Sequence, residues 1–159
     1  MVMPQPALQA EALEQDSLVD SLVRAAFVTT ALLSRLGAEY DLSLTQLRML
    51  GILRDRRLRM TALAAFLGLE KSTLSGLADR AERRGLLRRA ASAADGRAVE
   101  VFLSPAGREL AGLFHARVEQ ELSPLTSALS ATEQRRLQAL LERMLGQRDP
   151  AELRGQSAS

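Results

Sequence analysis

Residues 61–110 carry local signals in an order that few folds can use. Apolar residues recur at helical spacing in two short stretches, which are separated by Gly68 and Leu69. The second stretch stops at Gly85, because a residue without a Cβ suits the left-handed end of a helix. A short helix, a tight turn and a second helix are therefore predicted.

An extended hairpin is predicted directly after the second helix. Residues 86–89 and 99–103 have extended patterns, and the segment between them contains an Asp-Gly turn dipeptide at 95–96. Ser-Pro at 104–105 then supplies an N-cap with proline in the first helical position, which predicts a further long helix. Helix, turn, helix, hairpin and helix in this order predict a winged helix-turn-helix, a fold that reads DNA.

The chain is therefore expected to be mainly α with a small β-hairpin wing, divided into a winged helix-turn-helix and helical dimerisation arms. A flexible N-terminus is predicted for residues 1–15, and a helical pattern begins at Asp16. Residues 16–42 and 105–146 form the dimerisation region, and residues 43–104 form the DNA-binding domain. Residues 147–159 are predicted to be a flexible tail.

Two capping boxes and a threonine predict where helices start. Ser43 with Gln46 predicts a helix over Leu44–Leu53. Ser130 with Glu133 opens the last helix, which closes near Gly146 and has an apolar face of Leu137, Leu140, Leu141, Met144 and Leu145. Thr61 is expected to cap the first reading helix. The side chains of that helix expected to face the core are Leu63, Phe66 and Leu67.

The second reading helix has two unlike faces. The buried stripe is predicted to consist of Leu74, Leu77, Ala78 and Ala81. Small and basic residues make up the opposite face: Ser72, Thr73, Ser75, Gly76, Asp79, Arg80 and Arg83. Such a face suits close approach to base edges and phosphates.

Positive charge is concentrated in this part of the chain, although the whole chain has a net charge of only +2. Residues 54–97 contain eleven basic and five acidic residues, a net +6, while residues 1–53 carry −3 and residues 98–159 carry −1. A basic run is usually a solvated face. Here it coincides with a DNA-reading motif, which favours phosphate contact.

The ordered motifs resemble the MarR (multiple antibiotic resistance regulator) family of transcription factors over roughly residues 16–146. The resemblance is carried by three runs in the family's order: LTQLRMLGIL, TALAAFLGLEKSTLSGLADRAERRGLLRR and DGRAVEVFLSPAGREL. It implies a homodimer in which the first helix and the last two interlock, and a palindromic operator read by two recognition helices. One departure is Gly96, which stands where family members often have an arginine in the wing.

The resemblance also implies roles for single residues. Ser72, Thr73, Ser75, Gly76 and Arg80 correspond to positions that meet bases and nearby phosphates, Arg97 corresponds to the wing arginine of the minor groove, and Thr61 is placed to donate to a phosphate. Among Arg83, Arg84, Arg88 and Arg89, some are expected to touch phosphate and others to be solvated or paired with Glu82 and Asp79. The predicted DNA-binding set is thus Thr61, Ser72, Thr73, Ser75, Gly76, Arg80, Arg83, Arg88 and Arg97.

Other residues favour structural interpretations. Asp95 is expected to hold the hairpin turn or to brace Arg97. His115 is interpreted as a packed or partly exposed side chain rather than a metal ligand, so neither metal nor cofactor is expected. Family members often bind small aromatic or phenolic molecules near the arms, but Phe27, Tyr40 and Met49 are interpreted as core residues.

Composition narrows the class of protein further. The chain has no cysteine, which excludes disulfides, thiolate metal sites and cysteine redox switches. The N-terminus lacks a signal-peptide pattern, and a cytoplasmic location without membrane contact is expected. The sequence shows no nucleophile triad, paired catalytic carboxylates or phosphate-binding glycine loop, so an enzyme is not expected.

A repressor that leaves its operator when it binds a small ligand is the leading hypothesis. A winged-helix module that binds an acidic protein partner remains an alternative, and it predicts weak binding to DNA of any sequence. An enzyme or carrier that uses the cleft between the arms is a third, and it predicts ligand turnover, or tight ligand binding, without an operator.

Overall fold

The computed structural model of the chain describes the backbone of residues 6–146 and the side chains of residues 17–146. Helices dominate it, and a small antiparallel sheet forms the wing, which confirms the predicted fold class. In chain order, the elements are α1 (Pro6–Glu39), α2 (Leu44–Leu53), β1 (Leu58–Arg59), α3 (Met60–Leu67), α4 (Lys71–Arg83), β2 (Leu87–Ala91), β3 (Val99–Leu103), α5 (Pro105–Thr126) and α6 (Ala131–Gly146).

The sheet has the strand order β1-β3-β2, with β3 in the middle. The hairpin register pairs Arg88 with Phe102 and Arg89 with Val101. Because successive side chains of a strand point to opposite faces, Arg88 and Arg89 leave the sheet on opposite sides. Val101 is fully buried, so Arg89 lies on the face that packs against the helices.

One hydrophobic core holds α2, α3, α4 and the sheet together, with contributions from the first turns of α5. The predicted stripe of α4 is confirmed in full, since Leu74, Leu77, Ala78 and Ala81 are all buried. Aliphatic side chains provide most of the buried volume, as the scarcity of aromatic residues requires.

The predicted helix ends are confirmed at most positions. At α2, the Ser43 hydroxyl accepts from the Gln46 backbone N–H at 3.2 Å, and the Gln46 side chain accepts from Ser43 N–H at 2.9 Å. Gly68 and Gly85 adopt φ values of 69° and 74°, the left-handed conformation expected after a helix. At α5, Ser104 caps Gly107 N–H at 3.0 Å.

The last helix begins with the second capping box. The Glu133 carboxylate accepts from the Ser130 hydroxyl at 2.7 Å and from its backbone N–H at 2.8 Å. These two hydrogen bonds, the side-chain one first, lower the pKa of Glu133. They stabilise the start of a helix that buries no residue within one chain.

Three expectations about the helices are wrong. Helix α1 begins at Pro6, because proline needs no N–H partner in the first turn and Ala, Leu, Gln and Glu dominate the residues that follow. The flexible segment predicted for residues 1–15 is therefore helical from Pro6; residues 1–5 and the predicted tail at 147–159 lie outside the described residues. Thr61 does not cap α3, since β1 ends at Arg59 and its extended backbone already forms the N-cap. Phe66 faces outward, and Ala64 is buried in its place.

Much of α1, α5 and α6 exposes apolar side chains in the single chain. They are Leu18, Val19, Val23, Phe27, Val28, Leu113, Leu125, Leu137, Leu140, Leu141, Met144 and Leu145. The interpretation of Phe27 as a core residue is therefore wrong for the single chain, in which it is 72% exposed. By length and composition alone, Ser17–Glu39 is also apolar enough to cross a membrane, although helices with other roles meet that criterion as well.

Candidate nucleic-acid interface

The recognition helix α4 presents an open polar face. Ser72, Thr73, Arg80 and Arg83 are exposed, while Ser75 and Gly76 are half-buried. A Cβ at Gly76 would meet no atom within 4 Å, so the protein itself does not require glycine there. The backbone of α4 is thus accessible at the middle of its polar face, as close contact with a base edge requires.

A basic cleft of about 400 Å³ borders one side of α4. It lies between the first turns of α3 and α4 and the wing. Three residues of the predicted set meet in it, namely Thr61, Ser75 and Arg97. The cleft suits a phosphate group, since its rim is positive and includes the first turns of two helices.

Arg59 and Lys71 also line this cleft, and the predicted DNA-binding set omitted both. Their side chains make no ion pair or hydrogen bond within the described residues. The sequence signal for them is basic charge beside the reading helices: Lys71 opens the second one, and Arg59 stands two residues before the predicted cap of the first. At such positions a cation lies beside any phosphate that the helix N-terminus attracts.

A second polar groove, of about 540 Å³, borders the other side of α4. Arg80 and Arg83 line it, and neither side chain has a partner among the residues that the structure describes. Ser43 and Gln46 at the start of α2 form its opposite wall. Free positive charge therefore stands on both sides of the recognition helix.

Arg84 has a structural role next to this groove. Its guanidinium donates to the carbonyl oxygens of Asp41 at 2.6 Å and Tyr40 at 2.8 Å. These bonds tie the end of α4 to the turn after α1, in which Asp41 adopts a φ of 53°. Arg84 is thus occupied, while Arg83 beside it remains free for an external anion.

The wing tip is a compact turn held by Asp95 and Ser92. The Asp95 carboxylate accepts from Arg97 N–H at 3.1 Å, and the Asp95 carbonyl accepts from Ala98 N–H at 2.9 Å. Ser92 is buried and donates to the Glu100 carboxylate at 2.9 Å. The turn-holding role predicted for Asp95 is confirmed, and the Arg97 side chain is exposed at the tip.

Arg88 does not join the other predicted DNA-binding residues. It lies at the base of the wing on the outer face of the sheet, paired in register with Phe102. The Arg57 guanidinium lies over the Phe102 ring, 3.9 Å from the ring centroid. The prediction missed this placement because the alternation of faces in β2 is fixed only by its pairing with β3.

Arg89, which the predicted set omitted, lies on the helix side of the same strand. Its guanidinium contacts Asp79 at 2.5 Å and Glu82 at 3.7 Å, both on α4. It also donates to the Ser75 carbonyl oxygen at 3.4 Å. Pairing with Asp79 and Glu82 is one of the alternatives expected for this group of arginines, and in the structure it is Arg89 that makes these pairs.

The face as a whole is cationic. Arg59, Lys71, Arg80, Arg83 and Arg97 have no counter-charge among the described residues, whereas the two acidic side chains on α4 are engaged by Arg89. A recognition helix with an open polar face, flanked by basic clefts and an arginine-tipped wing, defines a DNA-binding winged-helix protein.

Comparison with models of protein families gives a match over part of the chain. Residues 40–98, the winged helix-turn-helix segment, match the model of the MarR family. The family resemblance found in the sequence is thereby confirmed. No curated protein sequence matches the chain.

Several solved structures share the fold. A MarR-family transcriptional regulator from Silicibacter pomeroyi is 27% identical, with a TM-score of 0.67 over 78% of this chain and 84% of its own. A mutant of MepR from S. aureus, solved bound to an oligodeoxyribonucleotide, is 25% identical, with a TM-score of 0.58 over 80% and 96%. NadR in complex with 4-hydroxyphenylacetate is 21% identical, with a TM-score of 0.68 over 78% and 89%.

Proposed function

We propose that this protein is a MarR-type transcription regulator that acts as a homodimeric repressor of a palindromic operator in the cytoplasm, and that a small aromatic or phenolic ligand releases it. The observation that carries the proposal is the open polar face of α4 between two clefts with unpaired positive charge. A surface that served only solubility would not need to combine a bare helix backbone with flanking cations.

The two clefts suit the two strands that border a major groove. With α4 in the groove, Arg80 and Arg83 face the phosphates on one side, and Arg59 and Lys71 face those on the other. Arg97 extends from the wing toward the neighbouring minor groove. Phosphate contacts of this kind supply affinity that falls with salt, while Ser72, Thr73 and Ser75 supply the choice of sequence.

An apolar cavity of about 560 Å³ is the best candidate for the ligand site. It lies between α1, α2 and α5, and its walls include Leu33, Leu50, Phe114 and Val118. Arg48, Arg54 and His115 place polar groups at the same cavity. None of Phe27, Tyr40 and Met49 lines it: Met49 is fully buried, and Tyr40 packs edge-on against Phe114. Apolar walls with a few basic groups suit a small aromatic ring that bears an anionic substituent.

The ligand proposal is tested by titrating the protein with 4-hydroxyphenylacetate and with phenylacetate while melting temperature is recorded. Binding to the folded state raises the melting temperature in proportion to the logarithm of ligand concentration. Gly51 lines the cavity, and a Cβ there meets no atom within 4 Å, so Gly51→Leu extends into the cavity without a clash at Cβ. We expect this variant to lose the shift, whereas a shift of equal size in the variant would place the ligand elsewhere.

The DNA proposal is tested by fluorescence anisotropy with the DNA upstream of the protein's own gene and with scrambled DNA of equal length. The expected result is selective binding to the upstream DNA, with an affinity that falls steeply across a salt series. Weak binding that is equal for both DNAs would contradict a sequence-specific regulator and would favour the module that binds an acidic protein. Tight ligand binding without DNA binding would favour the carrier.

A pair of variants locates the DNA surface. Arg80→Ala removes a free cation beside the polar face of α4 and is expected to weaken binding to upstream DNA by about tenfold to a hundredfold. Arg88→Ala removes the same charge from the outer face of the sheet and is expected to leave binding within about twofold. Equal losses in the two variants would contradict the placement of the surface on α4.

A further inference from the structure

We infer that Arg89 is a positioning residue of the DNA-binding surface, which joins the recognition helix to the wing and so sets the distance between them. This inference rests on the proposed DNA-binding function, because it concerns how that surface is held in shape. Arg89 does not need to touch DNA in this role.

The geometry of the contacts supports a clamp. Arg89 projects from β2, and its three contacts are Ser75, Asp79 and Glu82, which stand one helical turn apart on one side of α4. Its side chain is only 26% exposed, and its Nε is buried without a hydrogen bond inside the described part of the chain. A guanidinium held by several acceptors along one helix fixes the helix more firmly than a single ion pair on a mobile side chain.

The clamp is needed because the helix and the wing engage different grooves. Their contacts form together only if the distance from α4 to the wing tip matches the distance between the grooves. Outside this clamp, Leu74 and Ala78 of α4 lie in the same apolar core as Leu87 of β2, and apolar contacts do not specify direction. The hydrogen bonds and ion pairs of Arg89 fix the orientation of α4 relative to β2.

The same contacts remove an electrostatic obstacle. Asp79 and Glu82 are carboxylates on the helix that approaches DNA, and unpaired they would repel phosphate. Arg89 pairs with both carboxylates from the protein side and offsets one of their two negative charges, while Arg80 and Arg83 stay unpaired on the open face among the described residues. Arg89 thus holds the helix in position and keeps its surface cationic.

Asp79→Ala gives a test in which the two effects have opposite signs. By charge alone, removing a carboxylate from the recognition helix tightens binding to every DNA. If Asp79 serves as the anchor of Arg89, binding to the upstream DNA weakens by about three- to tenfold, while binding to scrambled DNA is unchanged or tighter. Parallel tightening on both DNAs would overturn the inference. Alanine is the best helix former, so a loss of helix propensity does not confuse the result.

A double-mutant cycle is completed by Arg89→Gln and by the double variant Asp79→Ala/Arg89→Gln. Arg88→Gln is added as a control. Arg89→Gln is expected to weaken upstream binding by about tenfold or more and to leave the slope of log affinity against log salt unchanged. A phosphate-contacting arginine would lower that slope by about 0.9. In the double variant the two losses are expected to overlap, whereas independent losses would multiply. Arg88→Gln, on the other face of the sheet, controls for loss of a positive charge.

A distance measurement without DNA separates this inference from the proposed function. Because the chain has no cysteine, nitroxide labels attach only where Cys is introduced, here by Thr73→Cys on α4 and Ala94→Cys on the wing. Labelled chains are diluted into unlabelled protein so that the pair within one chain dominates the signal. We expect a narrow distance distribution in the parent protein and with Arg88→Gln, and a broader one with Asp79→Ala and with Arg89→Gln. An unchanged distribution in both clamp variants would overturn the inference, whatever the DNA experiments show.

Discussion

At the scale of single residues, the position of Arg97 at the wing tip leads to a quantitative prediction. Its backbone is fixed by Asp95, while its side chain is exposed and has no partner among the described residues. Arg97→Ala is expected to weaken binding to upstream DNA by about tenfold and to lower the salt slope by about one.

Anisotropy titrations at five or more salt concentrations give that slope. Arg88→Ala is the matched control, since it removes another exposed arginine from the base of the same wing. A loss of affinity with an unchanged slope would show that Arg97 acts on the shape of the wing and not on phosphate.

The order of short motifs predicts which residues belong to the candidate site. It does not predict the face of the sheet from which a side chain projects. Thr61, Ser75 and Arg97 converge on one cleft because the order of helix, turn, helix and wing brings their segments together. The difference between Arg88 and Arg89 depends on strand parity: a shift of one residue exchanges the faces of the sheet, and the pairing of β2 with β3 alone sets it.

At the scale of elements, the contact between α5 and Leu86, the residue before β2, is unusually close. A Cβ at Gly107 would stand 2.0 Å from the Leu86 carbonyl oxygen. That oxygen also accepts from Ser104 N–H at 3.0 Å, and the Ser104 hydroxyl donates to the Gly85 carbonyl oxygen. The junction between the winged helix-turn-helix and α5 is therefore packed so closely that it leaves no room for a side chain at Gly107.

Gly107→Ala is accordingly expected to lower the free energy of unfolding by about 1–3 kcal/mol, because the backbone of Leu86 or the whole of α5 must shift. Gly112→Ala, in the same helix, meets no atom within 4 Å and is expected to raise stability by about 0.5–1 kcal/mol. Urea unfolding at one fixed protein concentration measures both. Equal stabilisation of the two variants would contradict the close contact.

Helix boundaries could be predicted where local chemistry sets them, as at Ser43, Gly68, Gly85, Ser104 and Ser130. The predictions failed where a neighbouring element of the fold sets the boundary or the buried face of a helix. The N-cap of α3 is Arg59 because β1 pairs with β3 up to that residue, and no local signal marks it. Phe66 has the helical spacing of a core residue, but it is 38% exposed, while Ala64 is buried.

At the scale of the whole molecule, the arms are incomplete in a single chain. Helix α6 has 16 residues and buries none of them, yet an isolated helix of this length is marginal in water. Its capping box supplies only a small stabilisation at one end. A second copy of the chain that covers α1, α5 and α6 would bury these apolar side chains and would place two recognition helices about a two-fold axis.

The double variant Leu137→Glu/Leu141→Glu tests this arrangement. Each leucine contributes about 1.5–3 kcal/mol when it is buried, so losing both raises the dissociation constant of a dimer by at least about a hundredfold. Sedimentation equilibrium is expected to show twice the mass of one chain for the parent protein and the mass of one chain for the variant. The exposed Phe66 lies on the reading head, and Phe66→Glu is expected to leave the dimer intact.

The variant Leu137→Glu/Leu141→Glu is also expected to bind DNA less tightly, although its winged helix-turn-helix stays folded. Two heads joined in one dimer bind two half-sites with the advantage of high effective concentration, and separate chains lose that advantage. We therefore expect upstream DNA to bind the monomeric variant by about a hundredfold or more less tightly, with a salt slope about half that of the dimer, since half the phosphates are contacted. A monomeric variant that kept the full affinity and slope would mean that one head suffices, and a palindromic operator would no longer be required.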